Sequence, residues 1–293
     1  MSDIPHDAGF VEVGDRCWVA RFDFLDVSVG LVGGDRGLLV VDTLASDAAG
    51  RRLVDEVRRL GAGEVVGIVN THVHYDHVFG NRVVSEAYGG LPVVAHEAAA
   101  EELDAHAAAV REEAGGAEDS RYAEVAATTD VLGPSETFSS AKVVDLGDRF
   151  VEVLHPGRGH TAGDAVVRVG DADVVLAGDL VEESALRNGV PGFGPDCYPM
   201  EWPATLDLVV GMLGPDTVVV PGHGACVGRD FVQEQRAAIG VVAETIRDVA
   251  SRGVPLAQAL DATEWPYPKE ELVHAVARGY EHLPRGTRSL PLL

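Results

Sequence analysis

The chain opens with a period of two. Phe10 to Val13, Cys17 to Phe22, Val27 to Val32 and Gly37 to Asp42 are short apolar or alternating runs parted by Gly/Asp turns such as Gly33-Gly34-Asp35. Runs of that length bounded by turn residues predict strands, here an antiparallel meander. The period then lengthens. Leu53, Val57 and Leu60 recur at helical spacing, Ser46 can cap the start of that helix, and Gly61-Ala62-Gly63 stops it. Glu64 to Val69 is β-branched and apolar over a strand's length and ends at Asn70-Thr71. Another strand, Leu91 to Ala95, leads into an Ala/Glu-rich stretch from His96 to Ala127 that predicts two helices broken at Gly115-Gly116.

The second half repeats this rhythm. Lys142 to Asp145, Phe150 to Leu154, Ala165 to Val169 and Asp173 to Leu176 predict strands. A Gly/Pro-rich loop from Glu182 to Pro203 precedes a helix from about Ala204 to Leu213 and a strand from Thr217 to Val220. A helix from Arg229 to about Ser251 and a tail helix from Pro268 to Tyr280 follow. Strand, loop and helix recurring in both halves predict an α/β protein in which two mixed β-sheets pack face to face with helices outside. No linker or low-complexity segment divides the chain. One domain over residues 1–293 is expected, with a helical insertion at about 97–131 and a helical C-terminal extension at about 252–293.

At 293 residues and 46% hydrophobic composition the chain can bury a sizeable core. Its longest apolar runs, such as Leu38 to Val41, are far too short to span a bilayer. The opening MSDIPHDAGF has neither the basic nor the apolar part of an export signal, so a cytoplasmic protein with no membrane partner is expected. Cys17, Cys197 and Cys226 are odd in number and widely spaced, which argues against a disulfide framework. Of the three, Cys197 lies in a loop from which a pocket is within reach. The net charge is −24, and Lys142 and Lys269 are the only lysines. The longest basic runs are Arg51-Arg52 and Arg58-Arg59, which share one predicted helix with Asp55 and Glu56. That balance argues against a nucleic-acid partner and for a small-molecule substrate.

Chemistry concentrates in one segment. Thr71-His72-Val73-His74-Tyr75-Asp76-His77 puts four metal-binding side chains into six positions, between a buried strand and the Gly80-Asn81 pair. Neutral imidazoles and a carboxylate are ligands that zinc prefers, and zinc sites often join several ligands from one short segment to isolated ones farther along. A His-rich surface turn is the bland alternative. The isolated candidates also stand after strands. His160 lies in Leu154-His155-Pro156-Gly157-Arg158-Gly159-His160-Thr161-Ala162-Gly163-Asp164, Asp179 in Ala177-Gly178-Asp179, and His223 in Pro221-Gly222-His223-Gly224. Val40-Val41-Asp42-Thr43 ends a fourth strand.

In this order and spacing, H-x-H-x-D-H, G-H-T-x-G-D, a strand-end G-D and P-G-H-G resemble the metallo-β-lactamase fold superfamily, from roughly Val27 to Val227. The resemblance implies a four-layer αβ/βα sandwich. Carried over residue by residue, it implies that His72, His74 and His160 hold one metal, that Asp76, His77 and His223 hold a second, and that Asp179 bridges them. Two zinc ions per chain are expected, with iron or manganese as alternatives, and Asp76 and Asp179 are the expected catalytic carboxylates. Two metals about 3.5–4 Å apart can lower the pKa of a bridging water and polarise the group it attacks, so no Ser or Cys nucleophile is needed. Asp42 resembles the family's supporting carboxylate, which fixes a ligand imidazole. A β-turn Asp at a strand end is an equal reading. Thr161 and Asp164 are further supporting candidates, and His155 has no counterpart among the implied ligands. His6, His96, His106, His274 and His282 fall on a tail or on polar helical segments and are expected to be solvated.

The expected reaction is hydrolysis of a small-molecule ester, thioester, lactone or amide by a metal-bridging hydroxide. A thioesterase of the glyoxalase II kind is one option, with Arg278, Arg285 and Arg288 as candidates for a substrate carboxylate. A β-lactamase proper is disfavoured by the missing export signal. The rivals are a mononuclear iron oxygenase resembling persulfide dioxygenases, a protein whose metal is only structural and, against the charge, a nuclease or phosphodiesterase. Two segments are lid candidates: the helical one around Leu103 to Val131, and the Gly/Pro loop bearing Phe193, Tyr198, Met200 and Trp202. Those aromatics read equally well as core anchors for the helix that follows.

Overall fold

The computed structural model describes residues 4–184 and 189–283. β1 (Val11–Gly14), β2 (Cys17–Phe22), β3 (Val27–Gly34) and β4 (Gly37–Val41) form the antiparallel meander, with a 3-10 turn at Phe24–Asp26 between β2 and β3. α1 (Asp47–Leu60) begins where Ser46 Oγ accepts the Ala49 amide hydrogen at 3.1 Å. It stops at Gly61, whose φ of 65° suits a residue without Cβ. β5 (Val65–Val69) follows and pairs with β4 in parallel. α2 (Tyr75–Val78) and α3 (Asn81–Ala87) lead to β6 (Val93–His96), and α4 (Glu97–Ala114) and α5 (Ser120–Ala127) lead to β7 (Glu136–Phe138). Both strands extend the sheet in parallel.

In the second half β8 (Ala141–Asp145), β9 (Phe150–Leu154), β10 (Val166–Val169) and β11 (Val174–Glu182) pair antiparallel. α6 (Trp202–Gly211) returns the chain so that β12 (Val218–His223) lies parallel to β11. α7 (Arg229–Ser251), α8 (Leu256–Ala259), a 3-10 turn at Lys269–Leu272 and α9 (Val273–His282) complete the described chain.

Alternation along the strands explains the layering. Leu39 and Val41 of β4 point into a core shared with Val151, Val153, Val167, Val174 and Leu176 of the other half, so the two sheets face each other there. Leu38 and Val40 point the opposite way, onto Leu53, Val54 and Val57 of α1 and Val84 of α3. Likewise Val175 and Ala177 of β11 face outward onto Trp202 and Leu206 of α6 and Ile239 and Val242 of α7. Strands covered on both faces read as continuous apolar runs, as Leu38 to Val41 does.

One strand boundary differs from the sequence expectation, and two contacts complete the layering. The two packed sheets are joined at one residue pair, His223 with Val27, which links β12 to β3 and makes the hydrogen-bonded strands continuous. β11 does not end at Leu176: it runs through Gly178 and Asp179 to Glu182, with an irregularity at Gly178, whose φ is 52°. The polar pair interrupts the apolar pattern without ending the strand. The helical segment packs onto the body, where Leu103, Ala107 and Val125 share a core with Val73, Val78 and Phe79. Among the described residues no helix is long and apolar enough to cross a membrane.

Candidate metal centre

The strands bring the candidates together. Asp42 follows β4, the run from Thr71 to His77 follows β5, His160 sits between β9 and β10, Asp179 lies in β11 and His223 ends β12. Two positions show how tightly this is built. A Cβ on Gly222 would lie 1.8 Å from Asp179 Oδ1, and one on Gly178 would lie 2.7 Å from the Thr71 side chain, so neither position has room for a larger residue. Asp42 itself is buried at a φ of 67°, a left-handed conformation that an Asp adopts more readily than most residues.

Around the cluster, hydrogen bonds set the tautomer of most rings. Asp42 Oδ2 accepts from His77 Nδ1 at 2.9 Å and from the Thr71 hydroxyl at 2.7 Å, and Thr71 Oγ1 lies 3.0 Å from His72 Nδ1. The Leu25 carbonyl accepts from His223 Nδ1 at 2.7 Å. Asp196 Oδ2 accepts from His74 Nε2 at 2.9 Å. Glu182 Oε1 stands 3.8 Å from His160 Nδ1. Each imidazole thus turns its other nitrogen inward: Nδ1 for His74 and Nε2 for His72, His77, His160 and His223.

The inward atoms form two groups that could each hold a metal ion, His72 with His74, His160 and Asp179, and Asp76 with His77 and His223. His160 Nε2 is 2.8 Å from His74 Nδ1, and His77 Nε2 is 3.4 Å from His223 Nε2. Asp179 faces both groups, with Oδ1 3.2 Å from His77 Nε2 and Oδ2 3.3 Å from His160 Nε2, 3.7 Å from His72 Nε2 and 3.0 Å from His223 Nε2. Asp76 Oδ2 is 3.4 Å from His223 Nε2. All seven sequence candidates for ligation therefore lie together. Thr161 and Asp164 lie beside them but spend their bonds on each other: the Asp164 carboxylate accepts from the Thr161 amide at 3.0 Å and from its hydroxyl at 2.7 Å, closing the His160 turn.

Electrostatics shows what the cluster favours. Burial lowers the His72 imidazole well below its ordinary value. Burial would raise Asp179 and Asp76, yet the neighbouring imidazoles, His223 and His77 foremost, hold both below the usual carboxylate range. Burial would also lower His77 and His223, but Asp179 and Asp76 drive His77 well above its ordinary value and His223 to about 9. Two buried carboxylates thus demand positive charge, and protons on two imidazoles are the substitute. His72 Nε2, buried and without a hydrogen-bond partner, points at the same space. Convergent imidazole nitrogens, two carboxylates and this orphaned acceptor fit divalent cations of the zinc type.

A metallo-beta-lactamase superfamily model matches residues 22–223. The chain belongs to the metallo-beta-lactamase superfamily. Metallo-beta-lactamase type 2 of Bacillus cereus is 27% identical over 198 residues, covering 67% of each chain. A second metallo-beta-lactamase type 2, from Bacillus sp. (strain 170), has the same identity over 198 residues, 67% of this chain and 66% of its own. Among solved structures, the metallo-beta-lactamase from Pontibacter korlensis superposes with a TM-score of 0.60 at 21% identity, over 79% of this chain and 98% of its own. One from Erythrobacter litoralis gives 0.61 at 14%, over 82% and 99%. The superfamily relatives place this chain among metal-dependent hydrolases.

Sequence reasoning missed several parts of this superfamily site. Asp196, 122 residues from its partner His74, sits in a loop whose pattern carries no ligand spacing. Burial would raise its carboxyl, but the His74 hydrogen bond and charge bring it far below the usual range. Glu182, with Asp179 and His223, makes a third group that could hold a metal ion. The Leu25 carbonyl is backbone, invisible to any motif. Two histidines expected in solvent are not there. His96 is buried, accepts the Ala98 amide and stacks on His155 with centroids 3.9 Å apart. His106 accepts the Tyr75 amide at 3.2 Å and stacks on His74, and burial lowers it to about 4. His282 stacks on Tyr198. Of the lid candidates, Phe193 and Trp202 are buried core residues, as is Cys197. Arg278 donates to the Cys197 carbonyl, while Arg285 and Arg288 lie outside the described residues.

Proposed function

We propose that this chain is a dinuclear zinc hydrolase acting on a small-molecule carbonyl substrate: an ester, thioester, lactone or amide. One observation carries it. Five imidazole nitrogens converge with Asp76 and Asp179 into two adjacent groups, and Asp179 faces both. Bound there, two divalent cations would acidify a water molecule and polarise the carbonyl under attack. The chain's own residues keep the site ready for this. Asp42 holds His77 directly and His72 through Thr71, Asp196 holds His74 and Leu25 holds His223, so each of those four rings is fixed with its other nitrogen facing the space where a cation would bind. Asp76 and Asp179 are the carboxylates facing the space between the groups and can accept the proton released there.

The substrate is read as a small molecule because −24 net charge repels polyanions. The Bacillus relatives are named as lactamases, so a β-lactam belongs among the cyclic amides to be tried. The test is metal analysis joined to turnover on lactones, thioesters, phosphoesters and β-lactams. Two zinc per chain with carbonyl hydrolysis is the expected result, and His74→Ala abolishes it while leaving the chain folded. One iron with oxygen uptake, or full activity in His74→Ala, overturns it.

A further inference from the structure

We propose that the buried Arg21–Asp26 ion pair is a positioning device for His223, acting through the turn between β2 and β3. The inference rests on His223 being a metal ligand. Leu25 and Asp26 have φ of 61° and 58°, two consecutive non-glycine residues in the left-handed region. Such a turn persists only where its surroundings impose it. It grips His223 at two points: the Leu25 carbonyl takes the Nδ1 proton at 2.7 Å, and the Asp26 carbonyl takes the amide hydrogen of the next residue, Gly224, at 3.0 Å.

The side chain of Asp26 is what holds the turn. Its Oδ1 accepts from Arg21 Nε at 3.0 Å, Arg21 Nη2 at 2.9 Å and His6 Nε2 at 2.7 Å, and its Oδ2 accepts from Ser184 Oγ at 3.0 Å. Arg21 is anchored in turn by the Ile4 carbonyl at 3.1 Å. Asp26 is 2% exposed and Arg21 8%. A buried ion pair gives little net stability against an apolar replacement, and its best-attested use is to specify one conformation. Here the conformation specified puts one carbonyl against one ring nitrogen 198 residues away. The turn also adjoins the single β3–β12 residue pair, Val27 with His223. Without the Arg21–Asp26 clamp the turn relaxes, the Leu25 carbonyl leaves, and the His223 ring is no longer held with Nε2 toward Asp76 and His77.

The test uses full-length protein stripped of metal and titrated with Zn²⁺ against a chromophoric chelator, with circular dichroism and urea melts to confirm folding. Asp26→Asn and Arg21→Met are expected to weaken the zinc bound by the Asp76, His77 and His223 group by about 10- to 100-fold and leave the other zinc unchanged. In a His223→Ala background, Asp26→Asn is expected to add no further loss. Ser184→Ala removes one donor and, should the stronger variants fail to fold, is expected to show the same selective loss at smaller size. Unchanged zinc affinities in folded Asp26→Asn, or equal weakening of both zincs, overturn the inference. If His223→Ala itself still binds two zinc ions normally, the ligand assignment has failed, and that result is distinct from failure of the clamp.

Discussion

His74 turns Nδ1 toward the other candidate ligands while His72, His77, His160 and His223 turn Nε2, and the difference is made by Asp196, which takes the His74 Nε2 proton. Asp196→Ala is therefore expected to lower zinc affinity in the His72, His74 and His160 group by about 10- to 100-fold with the fold retained, measured by chelator competition. A second residue predicts a pH effect. Burial pushes the Asp164 carboxyl up to about 7, against its bonds to Thr161. A carboxyl raised above its unfolded value contributes stability that is full below about pH 4 and lost as pH rises through its folded pKa. In metal-free protein the urea midpoint is thus expected to fall, relative to Asp164→Asn, between pH 4 and 8. A parallel profile for the two proteins would remove this assignment. The clustering of the candidate ligands is legible in the sequence because four stand in one turn and the rest lie at or after apolar runs. Asp196 and the Leu25 carbonyl were not, since a contact 122 or 198 residues long leaves no spacing to read, and a carbonyl has no residue type.

At the scale of elements, local chemistry was read well where it is strong. The Ser46 cap and the Gly61 stop need only neighbouring residues to form. β7 and α8, of three and four residues, are too short to show a period. α4 hid its orientation for another reason: its buried face is built from Ala99, Leu103, Ala107 and Ala114, and alanine gives little contrast against a Glu-rich background. That low contrast made His96 and His106 read as solvated when both are packed. Leu103 is the one large side chain on that face, and it shares a core with Val73 and Phe79 beside the ligands. Leu103→Ala is expected to cost about 2–5 kcal/mol in urea unfolding and to weaken zinc binding with it, because the cavity opens behind the ligand loop.

For the whole molecule, the main consequence follows from how the candidate ligands are divided. His72, His74, Asp76 and His77 come from the first half of the chain, and His160, Asp179 and His223 from the second. Each group takes members from both halves. Zinc that binds only the folded chain stabilises it by mass action. Chelation is therefore expected to lower the Tm and to leave far-UV circular dichroism native at low temperature, whereas unfolding on chelation would mark the metal as structural instead. The two sheets share one backbone pair, Val27 with His223, and the three cysteines are all free. A cation tying His74 to His160, 86 residues apart, closes a loop as a disulfide would, an entropic restraint on the order of 4–5 kcal/mol. A chain severed between Ser139 and Ser140, where β7 gives way to β8, would then reassemble from its fragments to an extent that free zinc sets.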